Sequence, residues 1–265
     1  MVWALGIYGH KCAKMTRNKT RNIKIKDMRK LYFVVAMLVM SVVMLAGGNK
    51  PLRVVVLGDD PMMVSDEAAG SVGYATLLQP LFDELVTVEV HASATLLPND
   101  PAALLEHAKK GDVAMICKRP VEAEAEDKTM ADVYLDQLLA ISHAAKKKGV
   151  KIVWMTPACV RYFTADSVQV HRQGVYPEVV RRLCKRDFVS LVDVEQLMFD
   201  WLKETGVEAS AEAFVPVQPQ SAVFAEKAAR EGNLLTEAGA QKVAALIGEA
   251  IFKDKKNILS KRIRQ

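Results

Sequence analysis

Beyond residue 51 the chain alternates short β-branched runs with longer stretches whose apolar positions recur every three or four residues. Arg53–Leu57, Val86–Val90, Val113–Cys117, Lys151–Met155 and Phe188–Val192 read as strands. The first, apolar without interruption from Val54 to Leu57, suits a parallel strand covered on both faces. Between the strands the spacing predicts helices over Gly73–Leu85, Pro101–Lys110, Val133–Lys148, Tyr176–Arg186, Glu195–Thr205 and Thr236–Phe252. Boundary residues agree. Asp100 stands as a cap before Pro101, and Lys146-Lys147-Lys148-Gly149 suits the negative end of a helix dipole followed by a glycine stop. Pro80 bends or divides the first of these helices. Pro61–Ser71, His91–Pro98, Glu122–Lys128 and Val215–Gln220 read as loops.

Strands alternating with helices imply an α/β fold: a three-layer α/β/α sandwich on a mainly parallel five-stranded sheet, flavodoxin-like in plan. No internal repeat or long linker divides residues 49–252, which read as one domain. The basic tail, 253–265, is expected to fray.

Charge changes the picture at the front. The net charge of +5 hides a split. Residues 1–48 hold nine Lys/Arg and one acid, whereas 49–265 hold 27 Lys/Arg against 30 Asp/Glu, a net of −3. A mildly acidic body argues against nucleic acid as a partner. Met28-Arg29-Lys30 precedes Leu31–Ala46, sixteen residues without a charge, and Gly47-Gly48-Asn49 follows. A basic start, an apolar core and small residues at its end describe a secretory signal over 28–48, with Ala46 and Gly48 at the cleavage positions. The run is slightly short for a spanning helix, so an uncleaved membrane anchor through residues 31–46 and a buried helix remain as alternatives. Gly48 stands where a lipoprotein signal would carry its cysteine. Residues 1–27 form a basic extension, or a mis-called start with Met28 the true initiator. The expected location is extracytoplasmic, periplasmic or secreted.

The four cysteines give no metal or redox spacing. Cys12 lies outside the body, and Cys117 and Cys159 sit in apolar, strand-like settings that favour buried thiols. The five histidines are scattered. No cofactor and no metal are expected.

The chemistry concentrates where Arg53–Leu57 runs into Gly58-Asp59-Asp60, because ligands of open α/β sheets bind at the carboxyl ends of the strands. Three further stretches accompany this turn. They are Met155-Thr156-Pro157 with Arg161-Tyr162-Phe163 and His171; Tyr176-Pro177-Glu178 through Arg181 to Val189-Ser190-Leu191-Val192-Asp193; and Leu235-Thr236-Glu237-Ala238-Gly239-Ala240. In this order, from Leu52 to about Ile251, they resemble the SGNH (GDSL-type) ester hydrolases, especially the rhamnogalacturonan acetylesterase-like branch. The resemblance implies the SGNH hydrolase fold and carbohydrate O-deacetylation.

The resemblance also shows what is missing. A serine ester hydrolase needs a hydroxyl nucleophile, a base and oxyanion donors. At the family's serine position stands Asp60. At its aspartate and histidine positions, three residues apart before the final helix, stand Glu231 and Leu234. Arg119 is nearest the asparagine donor, and His91-Ala92-Ser93-Ala94-Thr95 offers no glycine donor. No triad is intact. The residues left to form a pocket are Asp59, Asp60, His91, Ser93, Arg119, Arg161 and Glu231, with the two arginines suited to an anionic sugar.

Three readings follow. In one, a degenerate hydrolase keeps the fold and binds a carbohydrate, an acetylated or pectic glycan, or a protein partner. In the second, an active esterase has relocated its residues, with Ser65 or Ser93 as nucleophile and His91 or His171 as base. In the third, the fold serves as a structural component of the cell envelope. The first is preferred, as an inactive relative of the ester hydrolases.

Overall fold

The structure, a computed structural model, describes residues 50–93, 100–120, 129–218, 221 and 224–264. The apolar run Leu31–Ala46, Cys12, Thr95 and the charged stretch Glu122–Lys128 lie outside the described residues. Among the described residues no helix is long and apolar enough to cross a membrane.

The five expected strands are present: β1 (Leu52–Gly58), β2 (Val86–Ala92), β3 (Val113–Cys117), β4 (Lys151–Met155) and, in the same sheet, β6 (Ser190–Val192). They pair in parallel in the order β2-β1-β3-β4-β6. A short antiparallel pair, β5 (Arg161–Tyr162) with β7 (Glu231–Gly232), stands beside the sheet. At two residues each, these strands are too short for any periodicity to announce them.

Alternation along β1 divides the core in two. Val54 and Val56 enter one apolar layer while Val55 and Leu57 enter the other, so both faces of the strand are dry. The Val55 layer is covered by α1 (Met130–Lys148) and α2 (Tyr176–Asp187). The Val54 layer is covered by α3 (Val194–Thr205) and α4 (Glu237–Lys253). Helix ends follow their sequence signals. Thr129 and Asp132 form a capping box on α1, and Gly149 closes it at φ +76°. Asp193 caps α3 through the Gln196 N–H, and Thr236 caps α4 through the Gly239 N–H. Gly239 is required by packing, since a Cβ there would lie 1.9 Å from the Ala213 carbonyl oxygen.

Four expectations are corrected. Gly73–Leu85 is two 3-10 turns, Tyr74–Leu77 and Gln79–Leu81, rather than an α-helix. Pro80 supplies no N–H, and the Gln79 side chain leaves the segment to bond the Val86 carbonyl and the Val88 N–H. Tyr74, Leu78 and Phe82 are nonetheless buried, so the apolar spacing reported packing and not helix. Pro101–Lys110 is helical only over Pro101–Leu104, capped by Asp100 as expected. Beyond it the backbone makes isolated turn bonds, such as Ala108 N–H to Leu105 C=O, and side chains add donors: Leu105 also accepts from Lys148 Nζ at 2.7 Å and His107 from Arg53 at 2.9 Å. Phe188 is not in a strand but ends α2 in the left-handed region at φ +53°.

The tail does not fray. After α4, residues 254–264 run along the amino-terminal edge of the sheet. The Ile258 N–H bonds the Ser190 hydroxyl at the start of β6, and Ile263 bridges Phe82 shortly before β2. Leu259 is fully buried and Arg262 lies 3.1 Å from Asp83. An apolar anchor and a paired charge hold what composition alone marks as a basic terminus.

Candidate active-site cleft

The chain leaves β1 for β2 on one side and returns to place β3 on the other. Strand order therefore reverses at the carboxyl ends of β1 and β3, where such sheets form a crevice. Two pairs of residues leave the sheet there: Asp59-Asp60 after β1 and Lys118-Arg119 after β3. A cleft of about 430 Å³ opens above them, its wall including Asp60, Arg119, Arg172, Gln173, Tyr176 and Asn233.

The β1 turn is tight. A Cβ on Gly58 would lie 2.2 Å from the Met63 sulfur, so any larger residue would have to displace the buried Met63 side chain. Asp59 is fully buried. It accepts the Arg119 backbone N–H at 2.5 Å and lies 3.8 Å from the buried Lys118 ammonium. Burial lowers the Lys118 pKa, against the pull of Asp59. Asp60 is 4% exposed, and both carboxylate oxygens are engaged. Oδ1 accepts from the Met62 N–H at 2.8 Å, which caps the turn Pro61–Met63, and Oδ2 from the Ala158 N–H at 2.7 Å. Asp60 thus ties the β1 turn to the loop after β4. Burial raises its pKa, opposed by those two N–H groups and by the Arg119 charge. The Tyr74 hydroxyl is buried with no hydrogen-bond partner among the described residues, and its pKa is pushed well up by burial, with Cys117 and Asp60 contributing.

The other expected residues are placed as follows. Arg161 is a buried bracket, donating to the Ser210 hydroxyl and to the carbonyls of Val207, Ala229 and Glu231. Glu231 sits in β7 with its carboxylate 3.8 Å from Lys227. Leu234 is half-buried, its carbonyl accepting from the Val215 N–H, while Asn233 beside it reaches the cleft. His91 bonds Glu89 at 2.7 Å and stacks on His107, out on the edge strand. The Ser93 N–H bonds the Gly58 carbonyl, and the Ser65 hydroxyl accepts from the Gly73 N–H. So Asp60 and Arg119 share the cleft wall, with Asp59 behind them. Arg161, His91 and Glu231 serve other contacts.

Sequence reasoning missed the rim. Arg172, Gln173 and Gly174 come from the loop between β5 and α2, and only Tyr176 was marked, as part of a helix entry. The Arg172 guanidinium lies 4.3 Å from the Tyr162 ring centre. Gln173 donates to the Ala158 carbonyl, while its Oε1 is buried without a partner among the described residues. Loop residues with no periodicity gave no signal.

A second polar cluster stands nearby. Arg181 donates twice to Asp193, at 2.7 and 2.9 Å, and once to the buried Glu195 at 2.5 Å. Glu195 also takes His171 Nδ1, whose ring stacks 3.7 Å from Phe199. A carboxylate orienting a histidine is half of what a relocated hydrolase needs. The other half is missing: among the described residues no serine or cysteine is hydrogen-bonded to a histidine. Cys159, which senses the Glu195 charge, is fully buried and its thiol is pushed up to about 12. It stays protonated and unreactive at neutral pH.

No family model matches the chain. Rhamnogalacturonan acetylesterase RhgT of Bacillus subtilis (strain 168) is 26% identical over 212 residues, covering 77% of this chain and 90% of the relative. Among solved structures, the YxiM protein of Bacillus subtilis superposes with a TM-score of 0.53 at 18% identity over 77% of this chain. This chain spans just over half, 56%, of that one. A catalytic mutant of an acetylxylan esterase from Geobacillus stearothermophilus gives a TM-score of 0.48 at 16% identity, covering 78% of this chain and 94% of that one.

Proposed function

We propose that this chain, an SGNH/GDSL-type hydrolase by sequence similarity and fold, no longer hydrolyses esters and uses the old active-site cleft to bind carbohydrate. What carries the reading is Asp60. It stands where the family's nucleophilic hydroxyl would stand, and both its oxygens are spent accepting the Met62 and Ala158 N–H groups. Two backbone donors at the edge of the cleft, those of Arg119 and Ala158, are aimed at the Asp59 and Asp60 carboxylates. They are therefore not available to stabilise an oxyanion. A carboxylate at this place would also repel the negative charge of a tetrahedral intermediate. At about 4 Å and an effective dielectric near 20, that costs roughly 4 kcal/mol, or nearly three decades in rate.

The cleft suits a polar ligand. Its volume lies in the range of small-molecule sites. Arg172, Asn233 and Gln173 Oε1 offer donors and an acceptor, and Tyr176 offers an aromatic edge. The relative's name points to an acetylated pectic glycan as the class of ligand. The export expected from residues 28–48 would place the domain where such glycans are found. A protein partner of the cell envelope is the second candidate for the same cleft.

The test pairs turnover with binding. A fluorophosphonate probe should leave the protein unlabelled, and aryl acetate and acetylated pectin should be cleaved no faster than in buffer. Calorimetry against pectic oligosaccharides should show binding that weakens when Arg172 or Asn233 is changed to Ala. Hydrolysis that survives Asp60→Ala would reveal a relocated site and end the non-catalytic reading.

A further inference from the structure

We infer that the amino-terminal edge of the sheet, opposite the cleft, is a docking face for anionic phospholipid bilayers, built from the strap 254–264 and the apolar groove beside α4. Charge is the first observation. Residues 253–265 hold six Lys/Arg and one Asp, whereas 49–252 hold 21 Lys/Arg and 29 Asp/Glu. The strip is therefore net +5 on a domain that is otherwise net −8. Arg262 faces inward to Asp83 and Lys253 pairs with Glu249. Lys255, Lys256, Lys261 and Arg264 are exposed, and none is in ion-pair reach of a carboxylate among the described residues. An ordered strap presents them as a fixed array.

Apolar surface among those cations is the second observation. A mainly apolar groove of about 520 Å³ is lined by Pro80, Leu81, Ile263 and Arg264 with the α4 residues Gly248, Glu249 and Phe252. Lys255 Nζ lies 3.8 Å from the centre of the Phe252 ring. Ile258 and Leu85, on the same edge, are 41% and 38% exposed. A soluble polyanion would use the cations and gain nothing from these side chains. A bilayer uses both, since lysines at the headgroup level and apolar side chains just below it are how interfacial segments bind. Topology is the third observation. β1 begins on this edge, six residues after the apolar run Leu31–Ala46 ends, so the chain carrying that run enters the domain here. Docked this way, the domain holds its cleft away from the lipid.

The experiment is sedimentation of the full chain with phosphatidylcholine vesicles, with and without phosphatidylglycerol. The comparison protein is the full-length triple variant Lys255→Gln, Lys256→Gln, Lys261→Gln. The amino-terminal run is common to both, so the difference reads the strap alone. On anionic vesicles at low salt the variant should partition on the order of a hundredfold less, at about fivefold per lysine, and the gap should close as salt rises. On neutral vesicles the two should match. Near-ultraviolet dichroism checks that the variant is folded, and Ile258→Ser supplies a second variant with every charge kept, which should also bind more weakly. Equal partitioning of wild type and triple variant on anionic vesicles would overturn the proposal. So would binding to soluble polyphosphate that is lost in the triple variant while vesicle binding is unchanged.

Discussion

Two buried carboxylates at the carboxyl edge of the sheet are stabilised in opposite ways. Glu195 is surrounded by cationic and cationisable groups, the Arg181 guanidinium and His171, and Arg181 also holds Asp193 in a two-bond fork. Asp60 is held by two backbone N–H groups, with Arg119 acting through its charge. The first arrangement is charge against charge and depends on one arginine. The second is charge against dipoles, leaves the carboxyl with a raised pKa, and depends on backbone placed by the fold. The contrast separates two tasks. Arg181, Asp193 and Glu195 lock α2 to the start of α3, whereas Asp60 stitches the β1 turn to the loop after β4 and so fixes the cleft floor.

The comparison breaks most visibly at Arg181. Arg181→Ala leaves a buried Glu195 facing Asp193 with the shared cation gone. Removing one partner of a buried pair costs about 3–5 kcal/mol, and the partial exposure of Arg181 favours the lower end, about 3. Urea unfolding should show this, and Arg181→Lys, which cannot fork to Asp193 while reaching Glu195, should recover only part. A loss below about 1 kcal/mol would mean that the cluster is a surface network of little consequence.

At Asp60 the expected effect is smaller. Asp60→Ala strands the Met62 and Ala158 N–H groups without acceptors but also relieves a desolvated charge, for a net loss of about 2 kcal/mol. Asp60→Asn keeps one oxygen and should lose about half of that. If Asn were as damaging as Ala, the carboxylate charge and not its two acceptors would be what matters.

The smallest effect is the pH dependence at Asp60. Burial holds the folded pKa of Asp60 above its unfolded value, so the folded protein binds that proton more tightly. The contribution to stability is complete below the unfolded pKa, near 4, and is lost as pH rises through the folded value. Measured against Asp60→Asn, wild-type stability should therefore gain as pH falls from neutral toward about 4. A gain in the opposite direction would show the ionised form to be the favoured one.

The sheet and its helix caps were legible because they are local. Val54–Leu57, the Lys146–Gly149 ending and the caps at Asp100 and Thr236 each carry their signal within a few residues. The turn Gly58-Asp59-Asp60 was legible as a site for the same reason. What Asp60 does there was not, because its partner Ala158 stands nearly a hundred residues away and offers only a backbone N–H, which no side-chain identity encodes. Arg161 illustrates the converse. An arginine after a strand reads as a pocket residue, yet four hydrogen-bond acceptors from distant segments turn it inward. The strap was hidden by its composition, since five cations masked the contributions of Leu259 and Ile263.

The strap also sets the order in which this domain can be finished. Ile263 pairs with Phe82 about 180 residues earlier, and α4, which supplies much of one core layer, immediately precedes the strap. Contacts of such long separation form slowly, so the layer that α4 and the strap complete together closes late when the domain folds.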